Sequence, residues 1–124
     1  MKETEVFEII ATSIKAIQKV RNKVLRISVN GIEGTGKTYF ATALTSYLNL
    51  HAFHAIHVSI DGFHHNRAHR YRQGRDSAKG YYEDSYNENA FVEKVLLSSQ
   101  KAIPKITTAI HDLDSDKALK LIPV

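Results

Sequence analysis

A parallel α/β fold is what the sequence predicts, and three observations predict it. A short apolar run, Val24, Leu25, Ile27 and Val29, leads straight into Gly31-x-x-x-x-Gly36-Lys37-Thr38. A helical pattern over residues 37–50 follows, with Phe40, Ala43, Leu44, Tyr47 and Leu48 on one face. A second β-rich run, residues 55–60, then ends at Asp61-Gly62. Two strands joined by one helix imply a right-handed crossover and parallel pairing in one sheet. Ligands of such sheets bind outside the carboxyl ends of the strands, so Asp61 and the glycine-rich loop are expected on one rim. That placement gives Asp61 magnesium ligation, proton acceptance, or both.

The loop fits G-x-x-x-x-G-K-[ST] at every fixed position. Gly31, Gly34 and Gly36 allow backbone angles that a β-carbon forbids, so successive N–H groups can point inward and cradle an anion. The helix opening at Lys37 adds its positive dipole end. Lys37 would neutralise the β- and γ-phosphates of a nucleotide and the Thr38 hydroxyl would hold Mg²⁺. The nucleotide-binding set is Gly31, Gly34, Thr35, Gly36, Lys37, Thr38 and Tyr39. A glycine-rich turn arising by chance is the competing explanation; a strand before the motif and a helix after it argue against that.

Upstream, Val6, Phe7, Ile10, Ile14, Ile17 and Val20 recur at three- and four-residue spacing, a helical stripe over residues 3–20 that covers one face of the sheet. Thr4 could cap it, Glu3, Glu5 and Glu8 suit its dipole, and Asn22 ends it. His51, His54 and His57 recur every third residue, a spacing that does not keep them on one side of a strand, so a solvated connection is favoured over a metal site. Residues 62–89 are polar, rich in Arg and Tyr, and without sustained period; a connection that long usually carries function. A helix is predicted over residues 89–99, with Phe91, Val92, Val95 and Leu96 inward and Asn87 or Asn89 as cap. A strand over residues 103–110 runs into His111-Asp112.

The 124 residues suit a single domain, 1–124, with a modest core. Hydrophobic content of 43% excludes wholesale disorder. With no cysteine there is no disulfide, cysteine-ligated zinc or thiol catalysis, and a cytoplasmic location is expected. The N-terminus carries acidic residues within its apolar pattern, unlike a signal peptide or a membrane span. The +4 charge is concentrated around Arg67 to Arg75, which an anionic small molecule explains as well as a nucleic acid does.

Together, SVNGIEGTGKT, VSIDGFHHNRAHRYRQGRDSAKGYYEDSYN and ITTAIHDLDSD resemble the uridine kinase and phosphoribulokinase branch of P-loop kinases, especially short bacterial uridine kinase-like proteins. The similarity covers about residues 24 to 116. The resemblance implies a P-loop NTPase-type three-layer sandwich with a parallel sheet, incomplete here. The family continues into a further acidic strand end, an arginine-bearing lid and an adenine-binding turn, none of which is found before Val124, so the chain resembles a C-terminally truncated member. It implies that Asp61 accepts the acceptor's proton and, with Thr38, holds Mg²⁺. It implies substrate contacts from Phe63, His64, Tyr71, Arg72, Arg75 and Tyr82, with Asp84 on the ribose hydroxyls. His111-Asp112 stand where the family has a Tyr-Asp pair near the base.

The expected activity is in-line transfer of the ATP γ-phosphoryl to a primary hydroxyl of a nucleoside, with ATP and Mg²⁺ as cofactors and Lys37 and Asp61 as catalytic residues. Alternatives are a catalytically inactive nucleotide-binding remnant, a partner-dependent module, or a kinase for pantothenate or a sugar phosphate. Single-stranded RNA binding through the Arg/Tyr segment is a weaker reading. An incomplete sheet would leave an apolar edge, from which self-association is expected.

Overall fold

Acidic Glu3 and Glu5 in the first turn and basic Lys19 and Arg21 in the last complement the dipole of α1 (Glu3–Arg21). Thr4 lies inside this helix rather than capping it. A computed structural model describes residues 2–21, 24–31, 34–101, 104–121 and 123–124. The predicted stop at Asn22 and the predicted strand start at Ile103 lie outside the described residues. The chain folds as two compact units, Met1–His57 and Val58–Val124.

In the first unit Phe7, Ala11 and Ile14 of α1 pack on Leu44 and Leu48 of α2 (Lys37–Leu50), all five buried. Phe7 meets Phe40 edge-on at 5.4 Å between centroids and Tyr47 at 5.5 Å, a favoured aromatic geometry. The predicted inward face of α2 is the one observed. The α1 stripe is buried only as far as Ile14: beyond it Ile17 is 43% and Val20 85% exposed. His51 caps α2, donating its N–H to the Leu48 carbonyl and stacking on Tyr47.

The second unit is built from short helices punctuated by side-chain caps. A 3₁₀ turn, Ile60–Phe63, is capped by Ser59; α3 (Arg67–Arg70) by Asn66; α4 (Ala78–Asp84) by Ser77; and α5 (Glu88–Phe91) by Asn87. In each case the cap side chain accepts an N–H two or three residues on, removing an orphan donor. α5 continues as a π-helical turn, Val92–Leu97, and a 3₁₀ turn, Ser98–Gln100. Phe63 is fully buried and packs edge-on against Phe91 at 5.3 Å. β1 (His111–Asp112) and β2 (Lys117–Ala118) form an antiparallel pair. Gly62 lies so close to residues 108 and 109 that a β-carbon there would come within 2.7 Å of the Ala109 side chain. Only glycine permits that approach.

The predicted parallel three-layer sandwich is overturned. Of the described residues 53% are helical, and the sheet among them is the two-stranded antiparallel β1–β2 pair. Residues 24–30 and 55–59 join no ladder, and residues 104–110 are not a parallel strand. The physical reason lies in where their backbone groups find partners. The Asn49 side chain both accepts the Ala55 N–H at 2.8 Å and donates to the Ala55 carbonyl at 3.1 Å, standing in for a neighbouring strand. Ile106 and Val124 exchange two backbone hydrogen bonds, 2.7 and 2.8 Å, as an antiparallel pair does. Ile110 donates to the Gly62 carbonyl and accepts from Leu119. These are local or antiparallel solutions. With Asp61 in a 3₁₀ turn, the strand-end rim expected to carry it is absent too.

Core truncation separates buried from exposed apolar positions in α1 and α2. Leu48→Ala should destabilise the first unit by about 2–5 kcal/mol in urea unfolding. Val20→Ala should shift stability by no more than about 0.5 kcal/mol, as expected of an exposed position.

Candidate functional site

In the first unit two of the three loop glycines, Gly34 and Gly36, take the backbone angles predicted for them, and Gly31 does not. Gly34 has φ 80° and Gly36 φ 83°, both in the left-handed region that other residues adopt at a cost. Gly36 is the N-cap of α2, and its carbonyl accepts the first helical N–H, from Phe40. A β-carbon on Gly31 would come within 2.9 Å of the Thr35 hydroxyl. Lys37 folds its ammonium back over the loop and donates to the Gly31 carbonyl at 3.0 Å. No acidic residue stands in the first turn of α2, so its positive end is not offset there. Thr38 and Tyr39 follow, both exposed.

In the second unit the dominant feature is Asp84, the predicted ribose ligand. It sits at the end of α4 with its carboxylate fully buried. One oxygen accepts from Arg72 Nη2 and the other from Gln73 Nε2, each at 2.7 Å, and His69 Nε2 lies 3.7 Å away. Burial alone would expel this charge, so both oxygens must be satisfied internally. Arg72, then Gln73, hold the carboxyl below the usual aspartate range, and Asp84 in turn raises Arg72. Asp84 therefore ties the turn after α3 to the end of α4.

An open groove of about 340 Å³ lies beside this clamp, its lining including His65, His69, Arg72, Asp84, Tyr86 and Asn87 together with the carboxylates Glu83 and Glu88. The His65 and His69 rings stack at 3.7 Å. Burial, then the neighbouring His69, lower the pKa of His65. A smaller groove of about 100 Å³ is lined by His64, Arg70, Tyr71, Arg75, Ser77 and Tyr81. His64 Nδ1 is 2.7 Å from the Asp61 carbonyl, the partner to which it would donate, and its ring lies against Tyr86.

The predicted residues divide between these places. Arg72 and Asp84 meet at the larger groove, while His64, Tyr71 and Arg75 meet at the smaller one. Asp61 is exposed, with its N–H on the Ser59 hydroxyl. Phe63 is core rather than lining, and Tyr82, 85% exposed, lines neither groove. His111 is buried, its Nε2 3.1 Å from Asp116 and its Nδ1 without a partner among the described residues. Partial burial works to raise Asp116, but the Arg67 amide and His111 outweigh it and hold its carboxyl below the usual range. The Ser115 hydroxyl does the same for Asp112. His111 and Asp112 thus organise the β1–β2 turn.

Sequence reading singled out His65, beside His64, for substrate contact but passed over His69, Gln73, Ser77 and Asp116. The caps were the available signal: Asn66 three residues before His69, and Ser77 three before Gly80, mark helix starts inside the supposed loop. Among the described residues no group of three metal-binding side chains gathers, and no helix is long and apolar enough to cross a membrane. The chain matches no protein-family model, no curated protein and no solved structure.

The depressed pKa values set the acid response of the second unit. Native His65 and Asp84 each bind fewer protons than their unfolded forms, so stability falls as pH falls. The His65 contribution should fade from about pH 6.5 downward and the Asp84 contribution below about pH 4. Urea midpoints followed by NMR at Phe63 should show both declines. His65→Gln should remove the first; Asp84→Asn should lower the midpoint at neutral pH and flatten the second.

Proposed function

We propose that the chain is an ATP-dependent phosphotransferase resembling uridine kinase, acting on a hydroxyl-bearing acceptor such as a nucleoside. The observation that carries the nucleotide half is the loop: two left-handed glycines deliver the chain into α2 while Lys37 arches back over it. The helix N-terminus and the Lys37 ammonium, with loop amides turned toward them, would together offer positive charge to a triphosphate. Thr38, exposed in the first turn of α2, offers one hydroxyl oxygen. That suits Mg²⁺, which keeps water and phosphate oxygens as its other ligands. Bound there, Mg²⁺ would offset charge on the phosphate oxygens.

The acceptor half rests on the second unit's larger groove, whose volume is in the range of small-molecule sites. Its histidines and Asn87 offer hydrogen bonds to sugar hydroxyls. In the reaction the acceptor oxygen bonds to the γ-phosphorus as the bond to the β–γ bridging oxygen breaks, releasing ADP. The exposed Asp61 carboxylate would take the acceptor proton and Lys37 would steady the charge on the transferring group. Cytoplasmic ATP would be the donor.

One observation favours a second reading, a nucleotide-binding module without turnover. Asp61 lies in a 3₁₀ turn and not at a strand end, the position from which its role as base was inferred.

Calorimetry with MgATP tests the first half. Lys37→Ala should weaken binding at least about tenfold, as loss of a charge-assisted contact does, and Gly36→Ala should weaken it because alanine resists φ 83°. ADP release on adding uridine, abolished by Asp61→Asn, would support phosphotransfer. Lys37-dependent binding with no turnover on uridine, pantothenate or sugar phosphates would support the module. Absence of MgATP binding would overturn both.

A further inference from the structure

Asn30 is the one asparagine in the chain that is followed by glycine. Both Asn30 and Gly31 are exposed, and Asn30 ends a stretch that joins no ladder. Among the described residues the Gly31 N–H donates to no backbone carbonyl. The Asn30 side-chain carbonyl accepts from the Ser28 hydroxyl at 3.1 Å. Glycine is required at 31, because a β-carbon there would come within 2.9 Å of the Thr35 hydroxyl. The same requirement leaves the amide that follows Asn30 without a side chain to shield it.

The other described asparagines are held by their surroundings. The Ala55 backbone engages both polar atoms of the Asn49 side chain, at 2.8 and 3.1 Å. Asn66 and Asn87 cap helices by accepting the His69 and Ala90 N–H, and Asn89 lies within α5. Asp61 also precedes a glycine, but the Gly62 N–H donates to the Ser59 carbonyl at 3.1 Å and Gly62 packs closely on Ala109.

One reaction suits these features. A backbone nitrogen that attacks the side-chain carbonyl of the preceding asparagine closes a five-membered ring, and the two groups are already held on adjacent residues. A hydroxyl donor on the attacked oxygen steadies the negative charge that develops there.

We propose that Asn30 is a self-modification site, converted to aspartate and isoaspartate through attack by the Gly31 nitrogen with Ser28 assisting. The bond from Gly31 N to Asn30 Cγ forms as the Gly31 N–H proton passes to solvent. The Cγ–Nδ2 bond breaks, and the nitrogen leaves as ammonia with a proton from water. One water then opens the cyclic imide: attack at Cγ gives aspartate, and attack at the main-chain carbonyl gives isoaspartate. Overall, amide and water become acid and ammonia, with no change of oxidation state.

Either product places a carboxylate at the entry to the loop. The Gly31 carbonyl, on the next residue, is the acceptor of the Lys37 ammonium. The new charge competes for that ammonium and repels a polyanion. Isoaspartate also lengthens the main chain by one carbon just before Gly31. Read with the proposed nucleotide binding, on which this consequence alone rests, the conversion ends MgATP binding and gives the loop a chemical lifetime.

The test is incubation of the full chain in mildly alkaline buffer, followed by peptide mass mapping and enzymatic methylation of isoaspartyl residues. The mass gain of an amide-to-carboxyl exchange should appear at residue 30 ahead of residues 49, 66, 87 and 89. It should appear more slowly in Ser28→Ala and be blocked at that position in Asn30→Gln. NMR reads the loop without nucleotide: the Gly34 and Gly36 amide signals should shift with the same time course, and hold still in Asn30→Gln. MgATP affinity should fall at least about tenfold in the aged chain, as like-charge juxtaposition implies, and keep its fresh value in aged Asn30→Gln. No conversion at residue 30, or faster conversion elsewhere, would overturn the site. An unchanged rate in Ser28→Ala would overturn its assistance, and loop signals that stay in place after conversion would overturn the effect on the loop. A fresh chain that binds no MgATP would overturn the nucleotide reading instead, and the mass and NMR results would then decide the modification.

Discussion

The buried carboxylate of Asp84 is the constraint on which the second unit depends. A charge removed from water persists only if its lone pairs are met, and Arg72 and Gln73 meet both oxygens from the turn that follows α3. Residues twelve and eleven positions apart are thereby locked together. That lock sets where α4 ends, and from there Ser85 and Asn87 hydrogen-bond back to the 63–65 segment. The two grooves open on either side of this stretch, one lined by Asp84 and Tyr86, the other by Ser85 and His64. Losing one partner would leave a buried charge uncompensated, which costs more than the pair contributes when intact.

The first unit is governed by backbone conformation instead. Gly34 and Gly36 sit at positive φ immediately before a fourteen-residue helix whose apolar face is fastened to α1. Helix packing thus holds the loop's exit while glycine permits its shape. The Lys37 ammonium on the Gly31 carbonyl closes the loop on itself. An ammonium whose partner among the described residues is a neutral carbonyl is readily re-partnered by an anion, since charge-assisted bonds are roughly twice as strong as neutral ones.

Much of this was legible from local pattern. The three- and four-residue spacing marked α1 and α2, and G-x-x-x-x-G-K-T marked the loop with its left-handed glycines. The sheet was not legible, because β-rich composition reports that a segment can pair, not with what. Residues 55–60 read as a strand, yet Ala55 is satisfied by the Asn49 side chain and Ile60 enters a 3₁₀ turn. Residues 62–89 read as a loop because no apolar period runs through them, although Asn66, Ser77 and Asn87 each cap a short helix there. Phe63 read as a ligand contact because the resemblance places the substrate segment there; its burial against Phe91 could not be inferred from neighbours in sequence.

The sequence by itself determined the features that depend on residues within one or two turns of each other: the helices of the first unit, the conformation of the glycine loop, and the capped helix starts of the second unit. Those rest on spacing, φ preference and side-chain-to-backbone hydrogen bonds over three or four residues. Only the tertiary structure decided that Asp84 is buried and clamped by Arg72 and Gln73, that Arg70 and Arg75 both lie near the Tyr71 ring, and that the candidate strands close antiparallel or locally. Those outcomes turn on which distant groups come together and shed water. That choice is settled by packing and desolvation across the whole unit, which no stretch of sequence carries alone.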